Sequence, residues 1–173
     1  MWIGDVALSI ILFTAACIIA FGIVMNSFSQ GSEFSEVRSD ASKISEFLMS
    51  DGIPSDWNQS SIIRPGILTS NRINHTKVQA AMALSNSSYS LMQASLQTGH
   101  DFAVTVEDRN GQMISFDGYC VIGKQGSITN GTNSSGYCNT PVFNSISSSN
   151  LAKITRIAIY NSTLVRVKVY VWE

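Results

Sequence analysis

An α+β fold is predicted for this 173-residue chain: a long N-terminal hydrophobic helix continuing into an amphipathic helix, which packs against a mainly antiparallel β-sheet headpiece. Three observations predict it. Val6 to Met25 is a run of 20 residues without a charge. Phe34, Val37, Ala41, Ile44 and Leu48 then recur at spacings of three and four, the signature of one helix face. From His100 onward the apolar residues change to a period of two, as in strands with one buried face.

The first element is the apolar run. At 1.5 Å per residue it forms a helix about 30 Å long, the thickness of a bilayer hydrocarbon core. The first Lys or Arg in the chain is Arg38, so the run lacks the basic flank of a cleaved secretory signal and the loop charges that orient an ordinary anchor. Asp5 is the only charged side chain among the first 32 residues, and a carboxylate at the end of such a helix calls for a physical reason. Two are available. Asp5 can cap the helix N-terminus and face its positive dipole end, or it can meet a cation in an apolar interior, the α-amine of residue 1 on a neighbouring copy.

Residues 1–31 therefore form the hydrophobic segment, and the polar stretch from Asn26 to Ser32 only weakly favours helix. Ser32 is a competent N-cap for a second helical stretch over 32–50, with Glu33 and Glu36 near its positive end. The stripe from Phe34 to Leu48 fits either a short coiled-coil seam or packing against a sheet; its four turns favour the sheet. Asp51-Gly52-Ile53-Pro54 ends that helix, and 51–173 is read as the extracellular headpiece. The stretch to Asn71 reads as connecting loop. A helical region follows over Thr76 to Leu96, with Asn86-Ser87-Ser88 interrupting it. Phe102, Val104 and Val106 alternate ahead of a turn at Asp108-Arg109-Asn110-Gly111, and Met113 to Phe116 returns. A second hairpin turns at Tyr160-Asn161-Ser162-Thr163 after Ile157 and Ile159. Val165, Val167, Val169 and Val171 then share one face against Arg166, Lys168, Tyr170 and Trp172 on the other.

Composition narrows function. The chain is 45% apolar and only 13% charged, about half the usual charged share of ~25%; 27 Ser, 10 Thr and 12 Asn supply the missing polarity. With 11 basic against 12 acidic residues and no basic cluster, the footprint of a nucleic-acid binder is missing. Two His and three dispersed Cys offer no zinc spacing, so no metal or cofactor is expected. His100-Asp101 near Ser-rich segments is the best case for catalysis, but no nucleophile-elbow, paired-carboxylate or phosphate-loop motif accompanies it, and an enzyme is not expected.

Cys17 lies in the apolar run and reads as a small core residue. Cys120 and Cys138 flank a Gly/Ser/Thr/Asn loop that has almost nothing apolar to fold around, so a disulfide between them is expected; two free thiols are the alternative. Such a bond implies an oxidising, extracytoplasmic site. Six Asn-x-Ser/Thr sequons, at Asn58, Asn74, Asn86, Asn130, Asn133 and Asn161, all follow the apolar run and predict N-linked glycans on exposed loops and turns.

An apolar helix of this length starting at residue 1, an acidic side chain at position 5 and a polar domain behind it resemble a mature archaeal type IV pilin-like protein over roughly the first 28 residues; the Cys120 to Cys138 pair adds a weaker likeness to pilin headpieces. Bacterial type IV pilins are similar in the same region and carry Glu where this chain has Asp5. The resemblance implies a chain processed by a prepilin peptidase, held in the membrane before assembly, and built by pilus assembly machinery into a helical homopolymer on the cell surface. Met1 would supply the processed α-amine and Asp5 its partner in assembly. The expected function is thus a structural subunit of a glycosylated extracellular filament. The alternatives are a monomeric membrane-anchored receptor or adhesin domain and an archaeal flagellar filament subunit.

Overall fold

The computed structural model describes residues 2–124, 137–138 and 148–173, and the chain divides into two compact units between Glu36 and Val37. One helix, α1, runs from Trp2 to Leu48, so no second helix starts at Ser32. The reason is cooperative. Gly31 costs roughly 1 kcal/mol inside a helix, but a nucleated helix gains a hydrogen bond for each residue it adds, whereas a new start must repeat the nucleation cost. For the same reason Asp5 is the fourth residue of α1 and not its N-cap.

The second unit begins with the last turns of α1. Val37, Ala41, Ile44 and Leu48 are fully buried and belong to the same cluster as Val165, Val167, Val169 and Val171. The stripe therefore packs in the headpiece core and not in a coiled-coil seam. Phe34, its first member, lies in the other unit and is 45% exposed. After α1 the chain folds tightly back: the backbone N–H groups of Ile67 and Leu68 donate to the carbonyls of Leu48 and Ser50. Gly66 crosses so close to this corner that a Cβ there would sit 2.3 Å from the Ser50 carbonyl oxygen. The buried Trp57 closes it by donating from Nε1 to the Gly66 carbonyl at 2.9 Å.

The stretch read as loop also contributes two short strands, β1 (Leu68–Thr69) and β2 (Arg72–Ile73). Helices α2 (His75–Ser87) and α3 (Tyr89–Leu96) follow, broken at Ser88 as expected. The remaining strands are β3 (Asp101–Glu107), β4 (Met113–Ile114), β5 (Ile122–Gly123), β6 (Tyr137–Cys138), β7 (Leu151–Tyr160) and β8 (Thr163–Trp172). The sheet order is β1-β2-β7-β8-β3-β4-β6, with β5 also on β3. Most pairs are antiparallel, but β2 runs parallel to β7, where Arg72 faces Ile159. The sheet is therefore mixed, because the β1–β2 hairpin returns along β7 in β7's own direction.

Both predicted hairpins form. At the β7–β8 turn Asn161 and Ser162 both have positive φ, 46° and 63°, the type I′ geometry whose twist matches that of paired strands. At the β3–β4 turn Asp108 Oδ1 accepts from the backbone N–H of Asn110 and Gln112, each at 2.8 Å. The sheet buries one face along the helices and only part of the other, where Ile157 and Leu164 stay exposed. One carries the four valines of β8 against the helices. The other, which holds Arg166, Lys168, Tyr170 and Trp172, buries the two aromatics in a second cluster with Ala103, Met113, Cys120, Val121 and Cys138.

Candidate functional site

Among the described residues most of the exposed large apolar side chains lie on α1. The span Val6–Met25 has a mean hydropathy of 2.7 and none of it is buried within the protein. Phe13 and Ile18 are 70% and 72% exposed, and Ile10, Ile11, Leu12, Ile19, Phe21 and Ile23 are similarly bare. Apolar residues occur on every side of the helix, which is the pattern of a helix surrounded by lipid or by other helices and not of one lying on a single core. Its hydroxyls are compatible with such a medium: Thr14 Oγ1 bonds back to the carbonyls of Ile10 and Ile11, each at 2.9 Å, so it asks nothing of its surroundings. Cys17 is a free thiol and is exposed on this helix, not in a core of the chain's own. A length and composition sufficient to cross a membrane also suit a signal sequence. Met1 and the Asp5 side chain, expected to pair in assembly, lie outside the described atoms.

The headpiece is cross-linked as expected. Cys120 and Cys138 form a disulfide with a Cα separation of 5.8 Å. The loop argument predicted the bond but missed its setting: both cysteines are buried in the second cluster under Tyr170 and Trp172, and β6 pairs Cys138 with Met113. The cross-link thus pins a cover onto the outer sheet face. Two residues before Tyr170 on β8, Lys168 pairs with Glu107 at 2.5 Å. Burial, reinforced by the charge of Glu107, pushes the Tyr170 hydroxyl up to about 12.

The sequons differ in their chemistry. Asn58, Asn86 and Asn161 are exposed. Asn74 is the N-cap of α2: its Oδ1 accepts from the Lys77 N–H at 3.2 Å and its Nδ2 donates to Thr69 Oγ1 at 3.2 Å. Both ends of that amide are engaged in folding. Asn58 Oδ1 accepts from Ser60 and Ser61 within its own turn. Asn130 and Asn133 fall outside the described residues.

The polar cluster around His100 is built across a long sequence separation. Asp40 on α1 receives Lys43 Nζ at 2.9 Å, Thr98 Oγ1 at 2.7 Å and His100 Nδ1 at 2.9 Å. Burial pushes its carboxyl up, but the hydrogen bonds from Lys43, Thr98 and His100 outweigh that and hold it below its ordinary value. In a Ser-His-Asp triad the imidazole stands between carboxylate and hydroxyl. Here the carboxylate is the hub and the hydroxyl binds it directly, so the cluster latches α1 to the end of α3 and activates no nucleophile. Sequence gave no sign of this latch, since its members are dispersed and carry no spacing motif. His100's neighbour Asp101 instead takes Tyr89 and Lys124; burial raises the Tyr89 hydroxyl. Among the described residues no group of three or more His, Cys, Asp or Glu is arranged to hold a metal ion.

No protein-family model matches this chain, and neither does any curated protein or solved structure.

Proposed function

We propose that the chain is a structural subunit of an archaeal type IV pilin-like filament on the cell surface. In this reading Val6–Met25 rests in the membrane before assembly and then packs among copies of itself, with headpieces forming a glycosylated outer layer. One observation carries the reading: a charge-free helix, exposed on all sides, is attached to a headpiece that has a core and a disulfide of its own. Moving such a helix from lipid into a bundle exchanges one apolar environment for another, so packing and register decide assembly and water exclusion does not.

Asp5 supplies the register. In a low-dielectric core an unpaired carboxylate is costly, and pairing with a neighbour's α-amine satisfies both charges at one axial stagger. Asp5→Ala as the sole copy is expected to leave the protein in the membrane with a folded headpiece and to abolish filaments seen by electron microscopy of sheared surface material. Asp5→Glu is expected to retain them in part. Normal filament number and geometry with Asp5→Ala removes the pairing from the mechanism. Native surface material that holds the chain but no filaments leaves the monomeric membrane-anchored domain as the better reading.

A further inference from the structure

We propose that the cleft between the β3–β4 and β7–β8 turns is the seat of an N-linked oligosaccharide carried by Asn161; the inference rests on the exported-glycoprotein part of the reading above and not on polymerisation. The cleft encloses about 830 Å³, within the range of roughly 300–1,000 Å³ that holds small ligands. Its apolar wall is Ile114, Tyr160 and Leu164, and its polar rim includes Asn110 and Ser162. Leu164 is 64% exposed although it lies within the paired β7–β8 hairpin, opposite Ile159. This mixture of an aromatic ring, aliphatic groups and hydrogen-bonding side chains, Arg109 among them, suits the C–H faces and hydroxyls of a sugar. The nearby acidic group is already occupied, because the Asp108 carboxylate caps its own turn.

The occupant follows from the wall itself. Asn161, Ser162 and Thr163 form a complete sequon, and all three line the cleft. Neither Asn58 nor Asn86 lines it, and Asn74 has both amide ends engaged. The donor is a lipid-phosphate-linked oligosaccharide. Asn161 Nδ2 forms a bond to the anomeric carbon, the bond from that carbon to phosphate oxygen breaks with its electron pair leaving on the lipid phosphate, and the amide nitrogen loses one proton to solvent. A sugar tethered at the cleft wall has a high effective concentration there, so weak contacts suffice to hold it.

The test uses protein from its native host and the Asn161→Gln variant, compared by glycopeptide mass spectrometry and hydroxyl-radical footprinting. Asn161 is expected to carry the sugar, and oxidation of Ile114, Tyr160 and Leu164 is expected to be several-fold lower than in Asn161→Gln, with Leu91 near Asn86 unchanged. Sugar at Asn58 or Asn86 with Asn161 bare overturns this inference alone. A modified Asn161 with equal oxidation of the three wall residues overturns the seat. Bare polypeptide at every sequon takes the glycoprotein reading down with it.

Discussion

Breaking the cross-link between Cys120 and Cys138 tests how the outer sheet face is held. The bond joins residues 18 apart, and closing a loop of that length in the unfolded chain stabilises the folded state by about 3 kcal/mol on the loop-entropy model. The unit that contains it spans Val37–Glu173. With an unfolding entropy of about 2.1 cal/mol/K per residue, a domain of that size loses roughly 10 °C in Tm for 3 kcal/mol. Reduction of the full-length chain in detergent isolates this contribution, since both sulfur atoms stay in place. Cys120→Ala with Cys138→Ala adds the loss of packing under Tyr170 and Trp172 and is expected to fall further. The assay is thermal unfolding by circular dichroism, with tryptophan emission as a second probe because Trp172 lies in the cluster the bond pins. A reduced chain that melts within about 2 °C of the oxidised one refutes the reasoning, because the loop would then be restrained by other contacts.

Three further outcomes follow from the same geometry. Ile44→Ala removes a fully buried side chain from the main core and is expected to cost about 2–5 kcal/mol by chemical denaturation, whereas Phe34→Ala is expected to leave headpiece stability unchanged. Asp40 titrates below its unfolded value of 3.8, so the stability it contributes is complete above that value and is lost as pH falls through the lower folded value; Asp40→Asn is expected to flatten the stability profile below about pH 4 and to leave its alkaline limb unchanged. Asn74→Ala is expected to cost about 1 kcal/mol as a lost cap, and peptide mapping of native material is expected to find Asn74 without sugar while Asn86 is modified.

Legibility in the sequence followed the range of the interactions. The apolar span, the 37–48 stripe, the break near Ser88 and both hairpins were readable because each is set by neighbours within a few residues: hydropathy, helical spacing, turn chemistry. The second helix start expected at Ser32 was misread for a related reason. Ser32 is locally a good cap, but a helix already running past Met25 had no need of one. Pairings that depend on where distant segments meet were not readable. The parallel contact of Arg72 with Ile159, the Asp40 latch on Thr98 and His100, and the cleft shared by two hairpin turns all join residues with no mutual spacing signal. The β8 strand shows the boundary most clearly. Its alternation told which residues share a face, but not that Tyr170 and Trp172 would be covered, since Met113, Cys120, Val121 and Cys138 reach them from distant parts of the chain.

That cover bears on the proposed function through energetics. Among the described residues the main cluster of the headpiece draws no side chain from Val6–Met25, so that core is built without the apolar helix. A subunit handed from a bilayer to a filament must keep its fold while the medium around that helix changes, and a headpiece with its own core and cross-link meets that requirement. The stripe marks where the dependence stops. Val37 is fully buried while Phe34, one turn earlier on the same face, is 45% exposed, so the buried part of the stripe begins at Val37.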